Sequence, residues 1–270
     1  MIDLDRYFAR IGHRGSRAPT LATLNEIVRA HVEAIPFENL DVLLGRRIDL
    51  DLAAIERKLI HDRRGGYCFE QNALLLAVLE ALGYQARPLS ARVRHQRPRD
   101  YTPARTHLFL RVELDTSWLA DVGVGSMSPT SALRLDTSEP QPTPHETRRL
   151  IREGGVMFHQ LQYGEEWHDV YEFTLEEMPP IDREVASWYT STHPASHFRS
   201  RLWVARSLPD GARLSLLNRQ LTVRRRDGSA DHRMLASPDE LLAVLAEQFG
   251  LVFAPGTRFA CEGLDWPAPG

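Results

Sequence analysis

Sulfur chemistry is scarce in this 270-residue chain, which has two cysteines, Cys68 and Cys261. Two thiols make no disulfide framework, and without a CxxC pair there is no suggestion of a zinc site, so no metal is expected. No apolar run of about 18 residues occurs, and the opening MIDLDRYFARIGHRG has no apolar centre. Neither a membrane span nor a secretory signal is therefore expected. A strong charge of one sign is also missing: the net charge of −3 gives no electrostatic reason to bind nucleic acid or an anionic membrane. Repeats and low-complexity segments are absent, and 43% hydrophobic with 26% charged residues is an ordinary globular balance with ample core. A cytoplasmic protein follows as the expectation, with Cys68 kept reduced.

What is present is concentrated in RRGGYCFEQNALLLAVLEAL, residues 63–82. Leu74, Leu75, Leu76, Val78, Leu79 and Leu82 give a helix apolar on most of its circumference, which is normally buried. Gly83 stands where a helix end favours positive φ. Gly65-Gly66 permits a sharp turn just before it. Cys68 thus falls at the first helical turn, where free N–H groups and the helix dipole stabilise an anion, with Arg63 and Arg64 nearby. A reactive thiol and an ordinary buried cysteine both fit this context.

Residues 1–84 read as a helical bundle. Leu4, Tyr7, Phe8 and Ile11 mark a short helix ended by Gly12. Thr20 caps a second, with Leu21, Leu24, Ile27, Val28 and His31 inward. Pro36 breaks the chain into a loop at Phe37-Glu38-Asn39, and Asp49 or Asp51 opens a third helix through Ile55, Leu59 and Ile60. Residues 85–180 change to β-like runs at 86–94, 106–114, 118–122, 156–163 and 167–173, which suggest an antiparallel barrel or sandwich. Within them LDTSEPQPTPHET reads as a linker or flexible excursion. Residues 181–270, after Met178-Pro179-Pro180, mix types. Strands at 213–217 and 220–226 lead through a two-residue Asp227-Gly228 turn into 231–235, with Arg224-Arg225-Arg226 a solvated strand end. Ser237-Pro238-Asp239-Glu240 then starts a helix that stops at Gly250.

A nucleophilic thiol needs a base and a group to hold that base. His107, opening THLFLRV on the face of Phe109 and Arg111, is the candidate base. Asp121 interrupts the apolar WLADVGVG, and a carboxylate there must find a partner. A tight hairpin at residues 115–117 sets Asp121 opposite Arg111, so contact with His107 requires a bulge, a longer loop or a bend. A plain Arg111–Asp121 cross-strand ion pair is the alternative.

RGGYCFEQN, THLFLRVEL and ADVGVG together resemble the arylamine N-acetyltransferases. IPFENL at 35–40, SARVR at 90–94, SPTSALRL at 128–135 and STHPASHF at 191–198 follow the same order. The resemblance implies an α+β fold: a helical bundle carrying the thiol, a β-barrel carrying His and Asp, and an α/β lid, with a cysteine-protease-like Cys-His-Asp core. It implies a ping-pong transfer from acetyl-CoA, a co-substrate, through acetyl-Cys68 to an aromatic amine or hydrazine. His107 acts as base and cation, and Asp121 orients it. Glu38 and Arg64 resemble a buried bracing pair, and Asn72 the amide bound to the aspartate. Phe37, Phe69, Val93, Thr106, Val124 and Phe198 match acceptor-pocket positions. A monomer or homodimer is expected. Val124 departs from the aromatic of DVGFG in many relatives and opens the pocket. Ser187 replaces an asparagine, so that segment is given no CoA contact. The rivals are an amide synthase of the same family closing a macrolactam, a Cys-His-Asp thiol hydrolase, and a binding module with an inert Cys68.

Overall fold

The computed structural model describes residues 2–266. Its N-terminal helices are α1 (Leu4–Ile11), α2 (Leu21–Ala34), α3 (Leu40–Leu43), α4 (Leu52–Glu56) and α5 (Cys68–Ala81), with the two-residue strand β1 (Phe37–Glu38) between α2 and α3. Local chemistry sets the boundaries. Asp3 accepts the Arg6 N–H and Gly12 closes α1 in the left-handed region at φ 70°, while Thr20 accepts the Thr23 N–H at 3.3 Å to start α2. The third expected helix is α4 running on into a π-helical turn, Arg57–His61, so Ile55, Leu59 and Ile60 still face inward.

The centre is a seven-stranded antiparallel sheet in the order β5-β4-β3-β2-β8-β7-β6. Its strands are β2 (Gln85–Val93), β3 (His107–Glu113), β4 (Ser117–Ala120), β5 (Leu133–Arg134), β6 (Arg148–Glu153), β7 (Val156–Tyr163) and β8 (Glu166–Glu177). Strand β3 is apolar on both faces because it is a wall between two cores. Leu110 and Val112 pack with Leu74, Leu75 and Val78 of α5; Phe109 packs with Leu119 and Tyr171 inside the curved sheet. The proline-rich segment 135–147 is not a free excursion. Gln141 exchanges both backbone hydrogen bonds with Arg148 of β6, and its side chain bonds the Arg134 N–H and C=O of β5. One residue thus joins the two edge strands and nearly closes the barrel.

Helices α6 (Pro180–Thr192) and α7 (His197–Ser200) lead to a second, five-stranded sheet. Strands β9 (Trp203–Ser207), β10 (Arg213–Leu217), β11 (Gln220–Arg224) and β12 (Ala230–Met234) extend from β1 in that order, and helix α8 (Pro238–Phe249) covers them through Leu241, Val244, Leu245 and Phe249. Two expectations change here. Phe37-Glu38 is an edge strand paired with Ala205 and Val204, not a loop; two residues are too few to show alternation. The β11–β12 connection spans residues 225–229, closed by the Arg225 N–H donating to the Ser229 carbonyl, because Gly228 alone takes positive φ (88°) where a two-residue type I′ turn needs two such residues.

Candidate active site

Cys68 begins α5, where the fold brings that helix against β3 and the chain leaving β4. The turn before it is held by backbone and side chains together. The Glu38 N–H donates to the Gly66 carbonyl at 3.0 Å, and Gln71 donates to the carbonyls of Pro36 (2.8 Å) and Gly66 (3.2 Å). Gln71 also meets His31, which bonds Tyr7, so a buried polar chain runs back to α1. Gly65 is required here: an added Cβ would stand 2.1 Å from the Pro36 carbonyl oxygen. On the other flank an added Cβ at Gly123 would lie 2.7 Å from Cys68 Cα and 2.6 Å from Asn72 Nδ2. The glycine of ADVGVG therefore lets the strand end seat directly on the cysteine.

His107 and Asp121 meet at 2.7 Å, Nε2 to Oδ2, and both are buried. The hairpin register makes this possible. Glu113 pairs with Ser117 and Leu110 with Ala120, so the loop is one residue earlier than a 115–117 turn. That shift places the continuation of β4 two residues nearer to His107, and the strand ends at Ala120, freeing Asp121 to turn toward the ring. The Arg111–Asp121 pair does not form; Arg111 meets Glu113 at 2.5 Å. Oδ1 of Asp121 accepts from Asn72 Nδ2 (3.0 Å) and the Gly123 N–H (2.9 Å). Asn72 is itself saturated, donating to the Leu108 carbonyl at 2.7 Å and accepting from the Val122 N–H at 3.1 Å.

The electrostatics follow from these contacts. Burial opposes the charged form of His107, but the Asp121 carboxylate outweighs it, aided by Cys68, and raises the ring to about 10. Burial likewise opposes the Asp121 anion, yet His107, the Gly123 N–H and Asn72 hold it below the usual carboxylate range. Cys68 Sγ points at the Thr106 carbonyl oxygen, 3.5 Å away and one residue before His107. Thiol, imidazole and carboxylate are thereby gathered in one water-poor site.

Of the six expected pocket positions, Phe37, Phe69 and Phe198 join Cys68, Tyr67 and Leu108 in one apolar cluster. Thr106 contributes its carbonyl at the sulfur. Val124 packs in the barrel core with Phe109, Met127 and Tyr171, and Val93 is half-buried in β2. Trp203, which no sequence signal singled out, stacks edge-on with Phe37 at 5.5 Å. Tyr171, likewise unmarked, lies 5.0 Å from the His107 ring, centroid to centroid. A cleft of 1280 Å³ opens beyond Phe69, between residues 42–51 and α6, without Cys68 or His107 in its wall.

Glu38 and Arg64 are a buried pair: Arg64 Nε and Nη2 reach Glu38 Oε1 at 3.0 and 2.6 Å. They belong to a larger cluster. Arg64 also reaches Asp41 at 3.2 Å, and Lys58 Nζ bridges Asp41 (2.8 Å) and Glu70 (2.7 Å). No signal in the sequence marks Lys58, which helical periodicity leaves on an outward position. Among the described residues no group of three or more His, Cys, Asp or Glu could hold a metal, and no helix is long and apolar enough to cross a membrane.

The family model described as N-acetyltransferase matches residues 20–257. An arylamine N-acetyltransferase of Mycobacterium tuberculosis is 44% identical over 97% of this chain and 94% of its own length. One from Escherichia coli is 42% identical over 92% and 88%. The solved structure of the Mycobacterium marinum arylamine N-acetyltransferase in complex with CoA superposes with a TM-score of 0.89 at 41% identity, covering 92% of this chain and 93% of that one. With a Cys-His-Asp core on the expected α+β fold and agreement along nearly the whole length, this chain belongs to the arylamine N-acetyltransferase family.

Proposed function

We propose that the protein transfers an acetyl group from acetyl-CoA to an aromatic amine or hydrazine, with Cys68, His107 and Asp121 as catalytic residues. The observation that carries this reading is the buried 2.7 Å His107–Asp121 pair beside the cysteine at the head of α5. Its raised imidazole favours the imidazolium at neutral pH, the partner a thiolate needs. The Cys68 thiolate attacks the thioester carbonyl, and N–H groups of the first turn of α5 stabilise the oxyanion, a contribution of about 3 kcal/mol per donor. CoA leaves as the thiol, taking its proton from His107, and acetyl-Cys68 remains as a second thioester. The amine then attacks, His107 accepts its proton, and collapse of the adduct restores the thiolate. Phe37, Phe69, Val93, Thr106, Val124 and Phe198 line the acceptor pocket, Asn72 steadies Asp121, and Glu38 with Arg64 braces the turn before Cys68. Residues 181–270 form a lid that keeps water from the acetyl-enzyme, over a bundle at 1–84 and a barrel at 85–180. The setting is cytoplasmic, with a monomer or homodimer as the working form.

Incubation with acetyl-CoA alone should release one equivalent of CoA and leave an acetyl mass on the Cys68 peptide, which an aromatic amine then removes. Cys68→Ala should abolish both while leaving the circular-dichroism spectrum unchanged. CoA release by that variant near the wild-type rate overturns the assignment. Discharge of acetyl-Cys68 by water as fast as by amines selects a thiol hydrolase instead.

A further inference from the structure

We infer that Lys58 is a positioning residue for the Cys68 nucleophile: it neutralises Glu70, the carboxylate in the first turn of the same helix, and so fixes that turn while preventing an unpaired anion from opposing the thiolate. This rests on the proposed role of Cys68 and adds to it a residue outside the triad.

Glu70 is two residues past Cys68 and buried. Its Oε2 accepts the Tyr67 N–H at 3.1 Å, the carboxylate half of a capping arrangement that satisfies a donor at the start of α5. Its Oε1 is held by Lys58 Nζ at 2.7 Å. Gly66 is shaped around this group, since an added Cβ there would stand 2.7 Å from Glu70 Oε2. The carboxylate therefore bonds the residue before the cysteine and leaves no room for a side chain at the one before that. Left alone, a buried anion this close in the chain disfavours a thiolate at Cys68. Lys58 is the cation that meets it, and its side chain is 17% exposed. It reaches inward from the π-helical turn Arg57–His61, a one-residue expansion of the kind that recurs at functional sites.

The surrounding charges leave Lys58 no substitute. Asp41 also bonds Lys58, but it is shared with Arg64 and Arg46. Glu38 is taken by Arg64, and Arg64 has no contact with Glu70 among the ion pairs of the described residues. Burial raises the Glu70 carboxyl, with Lys58 pulling it back and Glu38 adding to the rise. Tyr67 faces Glu70 and Cys68 and stays protonated. On the far side of the sulfur stand His107 and Asp121, already paired with each other, with Tyr171, its phenol raised by burial, against the His107 ring and His159, lowered by burial, against Tyr171.

The test is the pH dependence of Cys68 alkylation by iodoacetamide, read on the Cys68 peptide by mass spectrometry, which needs no acetyl transfer. Lys58→Met should move the midpoint up by about one pH unit, a tenfold slower reaction below it. Glu70→Gln keeps the acceptor for Tyr67 but removes the anion, and should move the midpoint down. Lys58→Arg should restore the wild-type profile, and the Lys58→Met/Glu70→Gln pair should fall near wild type. Opposite signs for the two single variants are beyond a merely structural role, since damage to the turn impairs the thiolate in both. A Glu70→Gln midpoint that is unchanged or raised overturns the inference, even where Lys58→Met fails to fold. Absence of acetyl transfer with these shifts intact would sink the proposed reaction and leave the Lys58 assignment standing.

Discussion

Two buried clusters of charge flank the first turn of α5, and they differ in one respect that matters. Glu38, Asp41, Lys58, Arg64 and Glu70 lie on one side; Asp121 and His107 lie on the other, with Cys68 between. Both clusters incur the desolvation cost of buried ions, and both offset it with short, well-directed hydrogen bonds. In the first, the cations are lysine and arginine, which keep their charge through the neutral range. In the second, the cation is an imidazole and its other neighbour a thiol, the two groups whose protons can move near neutral pH. A buried ion pair becomes a bracket or a reaction centre according to whether one member can let go of its proton.

Asp121→Asn should give the largest effect, because it removes the charge that makes His107 a cation while keeping the shape. A loss in turnover of about 10⁴ is expected, measured as CoA release at saturating amine. The same substitution should lower stability in a pH-dependent way. Asp121 is depressed, so its contribution is present above the ordinary carboxylate value near pH 4 and is lost as pH falls through its lowered value. His107 is raised, so its contribution is full below about pH 6.5 and fades as pH climbs toward about 10. The difference in melting temperature between wild type and variant should therefore be greatest between about pH 4 and 6.5 and shrink on both sides. A gap that is constant with pH would show that the pair is not ionic.

Arg64→Met comes next and acts on the bracket. Glu38 would be left buried without the two guanidinium N–H groups that reach its Oε1, and Phe253 would lose the guanidinium that sits 4.5 Å from its ring. A loss of about 3–5 kcal/mol is expected by denaturant titration, with much of it returned in a Glu38→Gln/Arg64→Met pair. The pH profile of Cys68 alkylation should move less than with Lys58→Met, because Arg64 does not touch the cysteine's own turn. If Arg64→Met moves that profile further than Lys58→Met, the two sides of α5 are not separable as drawn.

The parts readable from sequence were those whose physics is local. The apolar run after Cys68, the caps at Thr20 and Ser237 and the strand at 156–163 all declare themselves within a dozen residues, and the structure has them. What sequence could not supply was register and long-range partnership. The meeting of His107 with Asp121 depended on where a hairpin loop begins, a one-residue matter that reverses which side chains oppose each other. Strand β1 is too short to show a period, and Gln141 closes the barrel from a segment whose prolines argue for a loop. Lys58 is the clearest case: its role comes from carboxylates 12 and 17 positions away in the chain, which no periodicity links to it.

Cys261→Ser should be the smallest change and sharpens the contrast between the two thiols. Cys261 is half-buried beside the second sheet, and its thiol donates to the Asn218 amide oxygen at 3.9 Å. Burial raises its thiol, the Gly263 and Leu202 backbone N–H groups pull it back in part, and the Asp265 and Glu262 carboxylates add to the rise. No imidazole or guanidinium offsets that, so the group stays a neutral thiol at pH values where Cys68 reacts. A hydroxyl of similar size keeps the contact with Asn218, and the change in stability should stay within about 0.5 kcal/mol. Peptide mapping after brief iodoacetamide treatment at neutral pH should find label on Cys68 and little on Cys261. Equal labelling would mean that the helix start and the imidazolium confer no advantage on Cys68, and the distinction between the two thiols would fail.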